Sequence, residues 1–320
     1  MTRLRCAVLD DYQQVALTMA DWSPLTADVD VRAYAHRIGN PDDLVALIAD
    51  CAVVVVMRER TPFDAALLAR LPRLRLLVTT GMRNAAIDLA AAAARGVIVC
   101  GTSSRSEPPV ELTWALILAL VRHLVQEHTA LRGQGPWQST VGADLHGRRL
   151  GLLGLGTIGE KVARVAVAFG MEVVAWSEHL TAARADACGA RLISKTELLE
   201  TSDIVSIHLV LSDRTRGLIG AAELRRMRPT AFLVNTSRGP IVDEPALVEA
   251  LRGGWIAGAG VDVFSVEPLP MDHPMRSLPT LLATPHLGYV SETNYRAYFA
   301  EAVEDIRAFL DGTPIRIIGM

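Results

Sequence analysis

Gly151-Leu152-Leu153-Gly154-Leu155-Gly156-Thr157-Ile158-Gly159 is the stretch that decides the fold of this 320-residue chain. An apolar run enters a glycine-rich turn, and a helix-forming stretch leaves it. Gly154 permits the tight turn, Gly156 lets the backbone approach a pyrophosphate, and Gly159 lets the helix pack on the strand. Because the strand-like run Glu172–Trp176 follows, the segment predicts the first βαβ unit of a dinucleotide-binding sheet.

Short β-branched runs alternate with alanine- and leucine-rich stretches along the rest of the chain, which is typical of repeated βα units with a parallel sheet. In the first hundred residues the predicted strands are Ala7–Leu9, Val29–Tyr34, Val53–Met57, Leu76–Thr79 and Val97–Cys100. The predicted helices between them are Pro41–Ala49, Pro62–Ala69 and Ile87–Ala94. This first series has no phosphate loop, so we predict two α/β domains, of which the second holds the dinucleotide.

The order of the segments indicates where one domain gives way to the other. Gly101–Pro109 is a Ser- and Pro-rich linker, and Val110–Ala130 follows it as a predicted long helix. We expect the terminal helix, Glu292–Leu310, to return to the first domain. That makes residues 1–103 together with 291–320 one discontinuous substrate-binding domain and residues 104–290 the NAD-binding domain.

Three polar residues in the C-terminal half each follow a strand-length apolar run. Ligands of open α/β sheets bind outside the carboxyl ends of the strands, so we expect these side chains to converge on one crevice. The runs and residues are Thr230–Val234 before Arg238, Ala257–Val263 before Glu267, and Leu281–Ala283 before His286.

These residue types suit hydride transfer at a secondary alcohol. The hydroxyl proton must leave with the hydride, and His286 is a suitable base because imidazole titrates near neutral pH. Glu267 beside the ring would fix its tautomer, and Arg238 could grip a substrate carboxylate with its fork of donors. Each of the three residues alone could have an ordinary structural role. Their occurrence together favours a catalytic role. Asp262 is either an acceptor for the nicotinamide carboxamide or a satisfied core carboxylate.

The end of the second strand of the βαβ unit bears on the choice of coenzyme. An acidic residue there usually holds the adenosine ribose, but Ser177 stands at this position and Glu178 follows it. A serine removes the usual rejection of a 2′-phosphate, which permits NADP. The first nearby cation in the sequence is Arg184, and Glu178 would repel a phosphate, so NAD is favoured.

Composition argues against other classes of partner. The net charge is −3 with both signs interspersed, which gives no basic field for nucleic acid. The most apolar helix, Leu112–Val121, is too short to span a membrane, and the acidic Asp10 comes too early for a signal peptide. The four scattered cysteines have no metal-ligand spacing. We therefore expect a cytoplasmic protein that binds no metal, nucleic acid or membrane.

The chain resembles the D-isomer-specific 2-hydroxyacid dehydrogenases nearly end to end. The segments that carry the resemblance are residues 151–159, 233–244, 260–268 and 284–288. It implies a Rossmann cofactor domain and a flavodoxin-like substrate domain with the active-site cleft between them. It also implies a homodimer built through the cofactor domains, including the helix that matches Val110–Ala130. The implied reaction is reversible hydride transfer between NAD(H) and a 2-keto acid or D-2-hydroxy acid.

The resemblance assigns roles to individual residues. Arg238 is similar to the residue that binds the substrate carboxylate, His286 to the acid/base, and Glu267 to its partner. The implied cofactor-lining residues are Gly154, Gly156, Thr157, Ile158, Gly159, Ser177, Glu178, Leu209, Thr236, Ser237, Arg238, Asp262, His286 and Gly288.

Two departures from the family pattern concern specificity. Ser177 replaces the aspartate of the NAD-dependent members, and Arg83 replaces a glycine in the loop that holds the substrate carboxylate. Asn84 could still adopt the unusual backbone angles of that loop. Arg83 either points to solvent or, with Arg58, favours a bulkier or doubly anionic 2-keto acid.

Three alternative functions are to be compared with this implied activity. An NADPH-dependent glyoxylate or hydroxypyruvate reductase is the most similar alternative, because it belongs to the same reaction class. An NAD-sensing corepressor, in which the chemical residues are retained, belongs to a different class. Formate dehydrogenases are disfavoured because they carry glutamine where Glu267 stands here.

Overall fold

The computed structural model describes residues 3–319, which divide into two compact units. The first unit comprises residues 3–105 with 290–319, and the second comprises Ser106–Tyr289. Residues 1, 2 and 320 of the predicted discontinuous domain lie outside the described residues. The assignment of the first unit to substrate binding stays a prediction.

Twelve strands are formed by the described residues, and most are short apolar runs. In chain order they are β1 (Leu4–Val8), β2 (Val29–Ala33), β3 (Val53–Val56), β4 (Leu76–Thr79), β5 (Ile98–Gly101), β6 (Arg149–Leu153), β7 (Glu172–Trp176), β8 (Arg191–Leu192), β9 (Ile204–Ile207), β10 (Phe232–Asn235), β11 (Gly258–Val261) and β12 (Leu281–Ala283).

Eleven α-helices connect or flank these strands within residues 3–319. They are α1 (Pro41–Ile48), α2 (Ala65–Ala69), α3 (Leu89–Ala94), α4 (Glu107–Val121), α5 (Leu124–Arg132), α6 (Thr157–Ala168), α7 (Ala182–Asp186), α8 (Lys195–Thr201), α9 (Ala221–Arg226), α10 (Glu244–Arg252) and α11 (Glu292–Leu310). Short 3₁₀ turns occur at Ser23–Leu25, Gly239–Ile241 and Pro274–Ser277.

The first unit is a five-stranded parallel sheet with the order β2-β1-β3-β4-β5. This is the flavodoxin-like order, as the resemblance implies. Every residue of β3 and β4 is buried, which explains their uninterrupted apolar runs. Helix α11 packs against β4, and Ile317 forms an antiparallel bridge with Cys100 at the β5 edge.

The second unit is a seven-stranded parallel sheet with the order β12-β11-β10-β9-β6-β7-β8. The chain starts at β6, winds outward to β8, and then returns through β9 to wind the other way. This reversal between β6 and β9 is the topological switch point of a Rossmann sheet, where ligands bind. Both faces of the sheet are covered by apolar clusters. The predicted fold class, two doubly wound parallel-sheet domains, is confirmed.

Several predicted boundaries are wrong for local reasons. The helix predicted from Pro62 begins at Ala65 because the carboxylate of Asp64 caps it, accepting a hydrogen bond from the N–H of Leu67. The helix predicted from Ile87 begins at Leu89, since Asp88 caps it in the same way. The cap residue, rather than the first apolar residue, determines where each helix begins.

The predicted long helix Val110–Ala130 is two helices. His123 lies in the left-handed region with φ 52°, and α4 and α5 meet there at a bend of 64°. The first of them also begins earlier than predicted, at Glu107, within the supposed linker. Proline fits the first turn of a helix, where its missing N–H is no loss, so Pro108 and Pro109 start the helix instead of delaying it.

Residues 3–319 contain neither a single membrane-spanning helix nor a cluster of metal ligands. No single helix has the length and apolar composition to cross a bilayer, and α4 with α5 meets that test only as a bent pair. Within the same residues, no group of three or more His, Cys, Asp or Glu side chains is placed to hold a metal ion.

Candidate active site

The glycine loop after β6 has the geometry of a dinucleotide-binding turn. Gly154 adopts φ +102°, and its N–H donates to the carbonyl of Trp176 at 2.8 Å. A Cβ at Gly154 would lie 2.6 Å from the carbonyl oxygen of His208, and one at Gly159 would lie 2.3 Å from that of Gly154. Both positions therefore require glycine, for backbone angle and for close approach respectively.

Gly156 differs from its two neighbours because a Cβ there would meet no atom within 4 Å. It is the N-cap of α6 and has no side chain to satisfy the N–H groups of the first helical turn. These groups and the positive end of the helix dipole suit a phosphate. Open space above a helix N-terminus fits the pyrophosphate of NAD, which Thr157 and Ile158 would also line.

The end of β7 is more basic than the sequence suggested. Glu178 is exposed and pairs with Arg214, whose Nη1 lies 3.0 Å from its Oε2. The same Nη1 lies 3.4 Å from Nε2 of His179. The expectation that Arg184 is the first cation near this position is wrong, because the loop after β9 brings in a residue 36 positions further along the chain.

The loop after β10 holds Arg238 by its own backbone contacts. Asn235 accepts a hydrogen bond from the N–H of Ser237 and donates one to the carbonyl of Arg238 at 3.0 Å. Gly239 allows this loop to lie against the next one, since a Cβ there would be 2.1 Å from the carbonyl carbon of Phe264. The guanidinium of Arg238 donates to the carbonyl of Ser237 at 2.8 Å and is partly buried. The loop therefore presents a positioned cation at the sheet edge.

His286 and Glu267 form a close pair, as predicted. His286 Nδ1 lies 2.7 Å from Oε2 of Glu267, and the other oxygen, Oε1, accepts a hydrogen bond from the N–H of Phe264 at 2.9 Å. The carboxylate is thus held from both sides. With Nδ1–H donated to Glu267, the opposite ring nitrogen, Nε2, is the one available for proton transfer. The ring of Tyr289 lies edge-on to the imidazole at 5.1 Å.

Asp262 organises the segment that carries His286. It is fully buried, and its carboxylate accepts hydrogen bonds from the hydroxyl of Thr284 and from the N–H groups of Leu287 and Gly288. Burial raises the pKa of Asp262, while these hydrogen bonds and the charge of His286 oppose the rise. The geometry favours the interpretation as a satisfied core carboxylate, and a contact with the nicotinamide stays a prediction.

The remaining predicted cofactor residues lie on the same edge of the second sheet. Each follows the carboxyl end of a strand: Leu209 follows β9, Thr236 follows β10, and Gly288 follows β12. The hydroxyl of Thr236 is 2.8 Å from that of Thr113 in α4. Every predicted cofactor residue therefore occupies the edge where an open α/β sheet binds its ligand.

Three of the four predicted substrate residues lie in the first unit, after β3 and β4, whereas Arg238 lies in the second. Arg58 adopts φ 53° and its N–H donates to the hydroxyl of Thr80. Asn84 is buried and donates to the carbonyl of Arg58 at 2.7 Å and to the hydroxyl of Thr79 at 2.9 Å. Arg83 is exposed. Asn84 thus ties the two loops together through its side chain, and the substrate contacts of all three residues stay predictions.

Sequence reasoning missed three side chains around this edge. Thr284 has no predicted role of its own, although its hydroxyl donates a hydrogen bond to Asp262 at 2.6 Å. His208 lies beneath the glycine loop, 2.9 Å from the hydroxyl of Ser206, and burial lowers its pKa to about 4. Arg214 lies far from Glu178 in sequence. The sequence signal for His208 and Arg214 was that both are polar residues after the end of β9, the strand at the switch point.

Fold and site together define a class of protein. The protein has a parallel sheet with a glycine loop at its switch point, and an Arg, a Glu and a His lie on one edge of that sheet. This is the arrangement of a nicotinamide-dependent dehydrogenase.

Comparison with known proteins gives the family. Residues 114–288 match the NAD-binding domain of the D-isomer specific 2-hydroxyacid dehydrogenases. A glyoxylate reductase from Aeropyrum pernix is 40% identical over 258 residues, which are 78% of this chain and 77% of that protein. The D-3-phosphoglycerate dehydrogenase of Bacillus subtilis is 34% identical over 264 residues, which are 82% of this chain but only 50% of that longer protein.

A solved structure agrees with these sequence matches. The crystal structure of a phosphoglycerate oxidoreductase from Vibrio cholerae has a TM-score of 0.92 and 34% identity, covering 97% of this chain and 99% of that one. The chain belongs to the D-isomer-specific 2-hydroxyacid dehydrogenase family. It is an oxidoreductase that acts on the CH–OH group of 2-hydroxy acids, and NAD(H) is its cofactor.

Proposed function

We propose that this protein reversibly reduces a 2-keto acid to a D-2-hydroxy acid with NADH, using His286 as the acid/base. The observation that carries the proposal is the 2.7 Å contact between His286 and Glu267 at the carboxyl edge of the sheet that holds the glycine loop. A bound nicotinamide coenzyme supplies or accepts the hydride. The protein has to bind the acid, orient its carbonyl and move one proton.

The proton moves at Nε2 of His286. In the reducing direction the protonated imidazole gives this proton to the carbonyl oxygen as negative charge develops there, and in the oxidising direction the neutral ring takes it from the hydroxyl. Glu267 holds the ring in one orientation and stabilises its charged form. Because Phe264 donates to the far oxygen of Glu267, the carboxylate cannot swing away without losing a hydrogen bond.

Arg238 binds and orients the substrate in this proposal. A guanidinium forms paired charge-assisted hydrogen bonds with a carboxylate, which fixes the plane of the acid group. The adjoining carbonyl carbon is thereby fixed as well. The rigid loop between Asn235 and Gly239 supports this role, since it leaves the backbone of Arg238 little freedom.

The stereochemistry of the product tests the proposed reaction. We expect reduction of a 2-keto acid that gives a chiral product, such as pyruvate or hydroxypyruvate, to yield the D-2-hydroxy acid with NADH, and chiral chromatography of the product measures this. Product of the L configuration would overturn the proposal.

Glyoxylate is the first substrate to try, because the two relatives from Aeropyrum pernix and Korarchaeum cryptofilum, 40% and 37% identical, are glyoxylate reductases. A larger or doubly anionic keto acid is the second candidate, and the observation that favours it is the pair of arginines, Arg58 and Arg83, in the loops after β3 and β4. Competition between glyoxylate and 2-oxoglutarate for the enzyme distinguishes the two.

We also propose a homodimer. Five apolar side chains are exposed on α5 and the loop that follows it, and Trp137 and Val141 are 81% and 96% exposed. Large exposed apolar patches on a protein surface commonly mark an interface with another protein. We call this region the α5 apolar surface, and its members are Leu124, Val125, Leu131, Trp137 and Val141.

The four buried free thiols support a reducing, cytoplasmic location.

A further inference from the structure

The turn after β9 places a cation at the coenzyme-binding edge of the second sheet. Arg214 belongs to a compact turn in which the hydroxyl of Thr215 donates to the carbonyl of Val210 at 2.7 Å and accepts from the N–H of Ser212 at 2.8 Å. The backbone of Arg214 is therefore held by its neighbours. Its guanidinium reaches across to Glu178, at the end of β7.

The end of β7 corresponds to the place where a Rossmann sheet meets the adenosine ribose. An acidic residue there accepts hydrogen bonds from both ribose hydroxyls and repels a 2′-phosphate, whereas an arginine nearby accommodates that phosphate. In this chain the strand ends at Trp176 and is followed by the uncharged Ser177. The acid and the base beside this strand end are Glu178 and Arg214, and they are paired with each other.

We propose that Glu178 and Arg214 form the coenzyme-selecting pair of this enzyme, in which Glu178 keeps Arg214 from binding the 2′-phosphate of NADPH. With the pair intact, the carboxylate occupies the guanidinium and repels a phosphate, so NADH is preferred. Without the carboxylate, Arg214 and His179 become donors for a phosphate. The proposal rests on the coenzyme site described above and assigns its specificity to residues on two different loops.

The balance between the two coenzymes is easily shifted because the pair is exposed. The side chains of Glu178 and Arg214 are 58% and 66% exposed, and an exposed ion pair contributes little to stability. A phosphate monoester carries nearly two negative charges and three acceptor oxygens, so it competes well for a guanidinium. Loss of a single carboxylate is therefore expected to change the preference.

The test measures coenzyme binding directly, by the change in nicotinamide fluorescence on titration of NADH or NADPH with the purified protein. We expect Glu178→Gln to tighten NADPH binding by about tenfold, the size of one charge-assisted hydrogen bond gained and one repulsion removed. Adding Arg214→Ala to this variant is expected to abolish the gain. Unchanged NADPH affinity in Glu178→Gln, or a gain that survives Arg214→Ala, would overturn the proposal.

A matched control separates this effect from a general change of surface charge. Glu200 and Arg226 form a similar pair in the same unit, at 2.9 Å with 48% and 51% exposure. Glu200→Gln removes one charge as Glu178→Gln does and is expected to leave both affinities unchanged; an equal gain there would also overturn the proposal. Because the readout is binding, a failure to turn over any keto acid would count against the proposed reaction while this test remained valid.

Discussion

His286 combines a side chain that carries the chemistry with a backbone that is unusual for its residue type. Its φ of 56° lies in the left-handed region, which non-glycine residues adopt at some cost in energy. The hydrogen bonds from Leu287 and Gly288 to Asp262 hold the chain in this conformation. The segment directs the imidazole toward Glu267, so side-chain identity and loop geometry both matter at this residue.

Arg238 gives a prediction that separates substrate binding from coenzyme binding. Arg238→Ala is expected to raise KM for the keto acid and lower kcat, with a combined loss of about 10- to 100-fold in kcat/KM, the value of a charged hydrogen bond. The Kd for NADH should change much less than KM does. Steady-state kinetics with a fluorescence titration measure both quantities.

Arg252, which is exposed at the end of α10, is the control for Arg238. Arg252→Ala removes the same charge and is expected to leave kinetics unchanged. A normal KM and kcat in Arg238→Ala would remove that residue from the substrate site.

The turn between β6 and α6 has two glycines with different structural requirements. Gly159→Ala is expected to destabilise the protein, because the new Cβ would lie 2.3 Å from the carbonyl oxygen of Gly154. Gly156→Ala meets no protein atom and is expected to fold normally. Its methyl group would enter the space assigned to the pyrophosphate, so NADH affinity should fall while Tm is retained.

Thermal unfolding and NADH titration of both variants check this contrast. Each variant serves as the control for the other, since they add the same methyl group within one turn. Unaltered NADH binding in Gly156→Ala would contradict the placement of the pyrophosphate at this helix N-terminus.

The sequence predicts some elements well because their signals are local. Leu76–Thr79 and Glu172–Trp176 are apolar runs bounded by polar or turn residues, and both strands have the predicted bounds. The terminal helix Glu292–Leu310 also has its predicted bounds, with Ser291 as its cap. The break at His123 has no comparable signal, because a left-handed histidine depends on the packing of α4 and α5 rather than on its neighbours in sequence.

In the candidate site, too, some residues could be predicted from local sequence signals and others could not. His286, Glu267 and Arg238 could be predicted because each follows a strand and the ends of parallel strands share one edge. Arg214 could not, because its proximity to Glu178 depends on the direction of the turn after β9. Arg184 is the first cation after Glu178 in the sequence. Separation along the chain, however, says little about distance across a sheet edge, and the cation that contacts Glu178 is Arg214.

For the whole molecule, Asp305 links stability to pH. This carboxylate is fully buried in α11, and its Oδ1 accepts a hydrogen bond from Nε of Arg316 at 2.9 Å. Burial raises the pKa of Asp305 to about 7, although Arg316 opposes the rise. The folded state therefore binds this proton more readily than the unfolded state does. The stabilising contribution of the group is complete below about pH 4 and is lost as the pH rises through about 7.

We predict that the unfolding free energy of the wild type, relative to Asp305→Asn, falls between about pH 4 and about pH 7. Urea unfolding at a series of pH values measures this difference. A difference between wild type and Asp305→Asn that does not vary with pH would refute the assignment.

The α5 apolar surface leads to a prediction about assembly. Replacing Leu124 and Leu131 together by aspartate is expected to convert a dimer into monomers, because two charges would be buried in an apolar contact. Light scattering during size-exclusion chromatography measures the mass. Met271→Asp alters a more exposed apolar side chain elsewhere in the same unit and should leave the dimer intact. A monomeric wild type, or a double variant that remains dimeric, would argue against this surface.

The proposed mechanism requires that His286 exchange the proton during reduction of a 2-keto acid. Its most direct test is the rate of NADH oxidation by the wild type, His286→Gln and His273→Gln, with glyoxylate, hydroxypyruvate, pyruvate, phenylpyruvate, oxaloacetate and 2-oxoglutarate. His273 is a suitable control because it too lies beside a glutamate, 3.9 Å from Glu244. We predict turnover of at least one acid by the wild type and by His273→Gln. In His286→Gln, kcat should fall by about 10²–10⁴-fold, whereas NADH affinity should barely change. Near-normal turnover by His286→Gln, or no turnover of any acid by a wild type that binds NADH, would contradict this mechanism.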